Sequence, residues 1–124
     1  PDMAVFPCFL WSGVNGLSEL LTKTEIEDGL HASLAETSLM LALKPELVGD
    51  ERPNECINGA IPEGWSLEGN APTAWLTDDF SKSGVIGDSR GANESLGKNL
   101  KELLINHWFK LIMNLMQSDW PNNS

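Results

Sequence analysis

The segment from His31 to Leu43 constrains the fold more than any other stretch of the chain. Leu34, Ala35, Leu39, Met40, Leu41, Ala42 and Leu43 leave only Glu36, Thr37 and Ser38 as interruptions, so a helix here is apolar around most of its circumference. Such a helix must be covered on more than one side. Lys44-Pro45 supplies its stop, because the residue before a proline is pushed out of the helical region, and Leu47 and Val48 are expected to pack back beneath the last turn. A second helix is predicted from Ala92 to Met116, where Leu96, Leu100, Leu103, Leu104, His107, Leu111 and Leu115 recur at three and four positions. Ile105, Trp108, Phe109, Ile112, Met113 and Met116 widen that face beyond one stripe, and Asp88 or Ser89 is the expected cap of its approach.

Material to cover these helices is scarce within the chain. Met3 to Trp11 is a continuous apolar run, the pattern of a strand buried on both faces, but Pro7 removes a ladder hydrogen bond and confines it to an edge or a bulge. Ser12 to Gly16 reads as a turn, and Leu17 to Ile26 as a short helix or an excursion over the sheet. Residues 49–82 are expected to form a long excursion, since 49–70 is rich in Gly, Pro, Asn and Glu without a periodic face, with Trp65 and Trp75 as anchors. One strand interrupted by proline cannot serve two long helices. Most of the sheet is therefore expected to come from residues outside this chain.

Charge and cysteine usage narrow the partners. Eight Lys and Arg against 18 Asp and Glu give a formal net charge of −10, a mean potential that opposes polyanions, so nucleic acid is not an expected partner. No run approaches the roughly 18 charge-free apolar residues of a membrane span. Cys8 and Cys56 have neither C-x-x-C spacing nor the density of a stapled secreted domain. With Cys8 inside an apolar run, a buried thiol and a cytoplasmic location are expected. A start at Pro1 without methionine suits a piece of a longer protein.

His31 stands at the entry of the first helix, with Asp28 upstream and Glu36 within it. An imidazole so placed can offer one ring nitrogen to a substrate while a carboxylate or backbone oxygen orients the other. Five residues turn an ideal helix through about 500°, so contact between His31 and Glu36 requires His31 to lie in the nonhelical approach. A polar cap on a buried helix accounts for the same residues without catalysis. Glu36, Thr37 and Ser38 must be hydrogen-bonded if covered, and so face a wet site or lock a neighbouring loop. Ser38 lacks the G-x-S-x-G elbow of a nucleophile, and His107 suits a structural histidine of the long helix. No H-E-x-x-H, C-x-x-C or calcium loop occurs. Gly84-Val85-Ile86-Gly87-Asp88 lacks both G-x-G-x-x-G and a Walker lysine, and reads as a turn placing Asp88 at a helix entrance.

Two blocks carry a resemblance. His31 to Val48 resembles the H-A-G-x-x-E-T-S-x-M-L-x-L-x-P-x-L-V block of the creatininase family, and Ser83 to Ala92 is similar to its S-G-V-x-G-D-P-x-x-A segment. Gly97 falls where the following helix usually carries a glycine. Ser33 and Ser89 replace the usual glycine and a frequent proline, and Leu30 stands where some members have a carboxylate. The resemblance implies an α/β fold, a three-layer α/β/α sandwich, of which residues 1–124 would be the C-terminal portion of one domain. The family's metal ligands come from an N-terminal acidic and histidine block and an asparagine-glycine-histidine loop, neither of which occurs here, so no metal ligand is expected in this chain.

For the complete protein the resemblance implies two divalent ions (Zn, Mn or Fe) and hydrolysis of a nonpeptide C–N bond in a small cyclic amide, creatinine or a similar substrate. His31 would protonate the departing nitrogen. Glu36 would order the histidine's approach, Asp28 the adjacent loop, and Trp11 would form a wall of the substrate pocket. The expected partners are a missing N-terminal half and further copies in a homo-oligomer, as similar enzymes often form hexamers, with the isolated chain inactive and dependent on association. Deformylation or peptide maturation within the same family is one alternative. A noncatalytic assembly module, using residues 100–116 and 49–70 for contacts, is the other.

Overall fold

The computed structural model describes residues 5–55, 57, 61–68 and 71–120. Its centre is the packing of α3 (Leu34–Leu43) against α5 (Glu94–Gln117). Leu100 is fully buried in this contact and forms the core with Leu21 and Ala35, around which Trp11, Leu17, Leu20, Leu34 and Leu96 gather. Where the helices cross, Gly97 meets the backbone of Ser38: a Cβ at 97 would overlap the Ser38 carbonyl and stand 2.9 Å from Ala42 Cβ. Glycine is required there for close approach, independently of its conformational freedom.

Both helices depart from expectation in detail. The cap of α5 is Asn93, whose side-chain oxygen accepts the Leu96 N–H at 2.9 Å, and neither Asp88 nor Ser89. Asp88 is engaged by Arg90, and the Ser89 hydroxyl donates to the Pro53 carbonyl at 2.7 Å. A turn closed by Ala92 N–H on Ser89 O intervenes before the helix. On α3 only Ala35 and Ser38 are buried, while Met40 and Leu43 are exposed, so the described residues cover it on one side and not on several. Leu47 is exposed on the 3₁₀ turn Pro45–Leu47 and does not pack beneath α3.

The opening apolar run is not a strand where it is described. Val5 to Leu10 are exposed and paired with no strand among the described residues, and Leu10 meets α5 at Trp108. Trp108 Nε1 donates to the Leu10 carbonyl at 2.9 Å, and the rings of Phe6 and Trp120 meet at 5.4 Å. Cys8 is exposed, not buried, and Cys56 lies outside the described residues. The turn that follows uses positive φ at Gly13 and Gly16, as its composition requires. Two short helices come next, α1 (Leu17–Leu20) and α2 (Lys23–Asp28).

Among the described residues the sheet is small: β1 (Asn54–Glu55) runs antiparallel to β2 (Gly87–Asp88), with Asn54 opposite Asp88 and Glu55 opposite Gly87. Among the described residues of the excursion between them, the regular features are a bridge between Ser66 and Pro72, the single turn α4 (Thr77–Phe80) and a bridge from Ile86 to His31. Trp75 anchors it, donating to Leu67 O at 3.1 Å and stacking edge-on against Phe80, whereas Trp65 is 57% exposed. Helices with a small sheet are compatible with an α/β protein. No described helix is long and apolar enough to cross a membrane.

Candidate functional site

His31 is held outside α3 by backbone bonds to Ile86, the residue that precedes β2. The N–H groups of Leu30 and His31 both donate to Ile86 O, at 2.9 and 3.1 Å, and Ile86 N–H returns a bond to His31 O at 2.8 Å. The next residue, Ala32, has φ +49°, a left-handed conformation that costs an L-residue roughly 1–2 kcal/mol. Two side chains from the first turn of α3 hold it there. Glu36 Oε2 accepts the Ala32 N–H at 2.6 Å, and Thr37 Oγ1 donates to Ala32 O at 2.8 Å. This reversal places His31 in the nonhelical approach, with Nδ1 3.9 Å from Glu36 Oε2. That separation is too long for a hydrogen bond and short enough for an ion pair when the imidazole is protonated. Ser38, fully buried, accepts the Asn93 N–H at 3.1 Å and so joins α3 to the start of α5.

A second set of bonds reaches the same turn from below. Ser33 Oγ donates to Glu25 Oε2 at 2.6 Å and accepts the Asp88 N–H at 3.0 Å, while Ala35 N–H donates to Glu25 Oε1 at 2.8 Å. Glu25 is 7% exposed and Ser33 2%. A carboxylate from α2 thus satisfies a free donor at the start of α3, where the helix dipole also favours negative charge. Sequence reasoning overlooks Glu25, although Thr22-Lys23-Thr24-Glu25 is a capping-box signature. The Thr22 hydroxyl does accept the Glu25 N–H at 3.1 Å, but the acid side chain leaves the box for α3.

Glu55 is the other overlooked residue, and nothing local in the sequence marks it. Its carboxylate accepts from Lys82 N, Ser83 N, Ser83 Oγ and Ser81 Oγ at 2.6–3.0 Å, fixing the turn that leads to Ile86. The Lys82 backbone N–H and the bonds from Ser83 hold its pKa down, from 4.5 to about 2, with a smaller contribution from Ser81. Asp88, gripped by the Arg90 guanidinium and backbone N–H, is likewise lowered from 3.8 to about 2, and the pairing raises Arg90 in turn.

Beside the His31 turn opens a cavity of about 840 Å³ whose walls include Trp11, Leu21, Glu25, Asp28, Glu36 and Leu67. Trp11, Asp28 and Glu36 thus share one cavity. His31 does not line it; its side chain is half exposed and meets the cavity through Glu36. Among the described residues no hydrogen bond joins Asp28 to His31. His107 lies in a separate cleft of about 290 Å³ with Asn15, its ring edge-on to Trp108. No group of three or more His, Cys, Asp or Glu among the described residues could hold a metal ion, so these residues do not fit a metal centre by themselves.

A left-handed turn thus presents His31 beside the cavity, braced by Glu36 and, through Ser33, by Glu25. The family model described as Creatininase: Creatinine amidohydrolase matches residues 1–112, which sets the chain among metal-dependent amidohydrolases. The chain belongs to the creatininase family. No curated protein and no solved structure matches it.

Proposed function

We propose that the complete protein hydrolyses a nonpeptide C–N bond in a small cyclic amide, with creatinine or a similar ring as substrate, and that His31 is its proton donor. The observation that carries this is the left-handed Ala32, held by Glu36 and Thr37 so that His31 projects beside the cavity. With Nδ1 toward Glu36, Nε2 is the nitrogen left to reach a substrate from beside the cavity. As water's oxygen joins the carbonyl carbon, the C–N bond breaks and the leaving nitrogen takes the imidazolium proton. Until that transfer Glu36, 3.9 Å away, holds the imidazolium, and the proton shed by the attacking water restores it afterwards. Asp28 and Trp11 shape the wall against which the ring rests.

In this reading the chain is the C-terminal portion of a creatininase-like α/β/α domain. Supporting it are the one-sided cover of α3, the two-residue strands, the exposed apolar side chains of α5 and the lack of a metal-ligand set among the described residues. An N-terminal half would supply the remaining strands and the ligands of two divalent ions, and the whole would assemble as a homo-oligomer. His31→Asn in the full-length protein tests the assignment. Metal content should be retained while turnover of cyclic amides is lost; unchanged kcat would remove His31 from the reaction. A screen of cyclic amides against formamides and short peptides then separates creatinine-like hydrolysis from deformylation and peptide maturation.

A further inference from the structure

Glu25 is a buried acid that the proposed reaction leaves unused, and the space around it is fitted to its carboxylate. A Cβ at Gly29 would stand 2.5 Å from Glu25 Cδ, and one at Gly87 would stand 2.7 Å from Ser33 Cβ. Two glycines therefore make room for the pair of side chains. Ser33 and Ala35 bind the two carboxylate oxygens, and among the described residues no other side-chain hydrogen bond joins α2 to residues 31–43. Asp28, at the end of α2, and Glu36, in the first turn of α3, both line the cavity and are joined through this junction, with His31 next to it outside the lining. Ser33 passes the link onward by accepting the Asp88 N–H, next to the Ile86 backbone that brackets His31.

We infer that Glu25 is a positioning residue: acting through Ser33, it sets the α2 wall of the cavity in register with the His31 turn and so fixes the direction of the imidazole. It touches no reacting atom. The polarity of the bonds makes the carboxylate matter. Ser33 has one hydroxyl hydrogen, which goes to Glu25, while a lone pair of the same oxygen takes the Asp88 N–H. A glutamine at 25 keeps the shape, yet if its oxygen serves Ala35 its NH₂ faces Ser33, and the hydroxyl hydrogen loses its acceptor. Only the catalytic meaning of this register, and not its geometry, rests on the reading of His31 as proton donor.

The test uses full-length protein labelled with ¹⁵N-histidine, the His31 ring signals being assigned by their loss in His31→Asn. Glu25→Gln, Ser33→Ala, the double variant and Leu104→Ala are compared, the last weakening the core without touching the link. Glu25→Gln and Ser33→Ala should each shift or broaden the His31 signals, the double variant should add nothing further, and Leu104→Ala should leave them in place. Turnover of creatinine or another cyclic amide should fall about tenfold or more in Glu25→Gln. Signals unmoved by Glu25→Gln and Ser33→Ala, or moved equally by Leu104→Ala, overturn the inference. If the signals move and amide turnover does not, Glu25 stands as the positioning residue and it is His31's role as acid that falls.

Discussion

Gly97 of α5 lies against the carbonyl of Ser38 in α3 so closely that no side chain fits between them. The same Ser38 accepts the Asn93 N–H one turn earlier, so the crossing is fixed by a missing Cβ and by a buried hydroxyl together. Gly97→Ala should therefore destabilise the full-length protein by roughly 1–3 kcal/mol or more, since the obstacle is backbone and cannot rotate away. Denaturant midpoints check this. A midpoint equal to that of the unaltered protein would show that the helices do not cross here.

Ala32 offers the opposite case. Its left-handed φ costs roughly 1–2 kcal/mol, which glycine would relieve, against about 0.5–1 kcal/mol of extra backbone entropy lost on folding. Ala32→Gly should leave stability unchanged or raised by up to about 1 kcal/mol while lowering turnover, because the His31 turn loses its steric definition. Full activity in a stabilised variant would mean that the turn needs no such definition.

Acid should loosen the Glu55 turn before the core. The folded pKa, about 2, lies below the ordinary 4.5, so between these values the unfolded chain binds more protons and stability rises with pH. The contribution is complete above about 4.5 and is lost as pH falls toward 2. Asp88 adds a loss in the same sense between 3.8 and about 2. Proteolysis within residues 71–86, followed from pH 5 to 2, should accelerate in the unaltered protein, and Glu55→Gln should be fast throughout with a flatter profile. Parallel profiles in the two proteins would refute the role of Glu55.

Trp11 stands both in the core cluster and on the cavity wall. Trp11→Phe keeps an apolar ring and shortens the wall. KM for a cyclic amide should rise several-fold with metal content unchanged. An unaltered substrate profile would place the substrate elsewhere.

Along the C-terminal half of α5, Ile105, Phe109, Ile112 and Met116 are exposed at spacings of four, three and four, with Phe109 62% accessible. The isolated 124-residue chain should associate in a concentration-dependent manner and lack a single sharp thermal transition. Phe109→Asp with Ile112→Asp should reduce that association. A compact monomer unfolding in one cooperative step would contradict both the exposure argument and the assignment of the chain as part of a domain.

Different parts of this arrangement were legible to different degrees. Three polar residues inside an apolar helix announce that they have partners, and the angular arithmetic between His31 and Glu36 requires the histidine to leave the helix. Their partners are another matter: the turn is closed by Ile86, far along the chain, and spacing carries no record of such pairings. Val5 to Leu10 show the same limit, because an apolar run has no period that distinguishes a buried strand from an exposed segment without strand partners. Asn93 was masked by two equally suitable cap residues just upstream, with the turn at 89–92 deciding among them. Glu25 carries a local signature whose side chain serves a distant purpose.

The excursion is stitched where it begins and where it returns, by the pairing of Asn54 and Glu55 with Gly87 and Asp88 and by the hold of Glu55 on residues 81–83. Doubling the length of chain between such closures adds only about 0.6 kcal/mol of loop entropy. Trp65 and Leu67, which line the cavity, belong to the chain enclosed by the Glu55 hold on residues 81–83, whereas His31 is set by Ile86, between that hold and β2. The rim and the proton-bearing turn are thus separately heritable: insertions, deletions and exchanges between the stitches can rewrite what the cavity admits, generation after generation, while the histidine keeps its place.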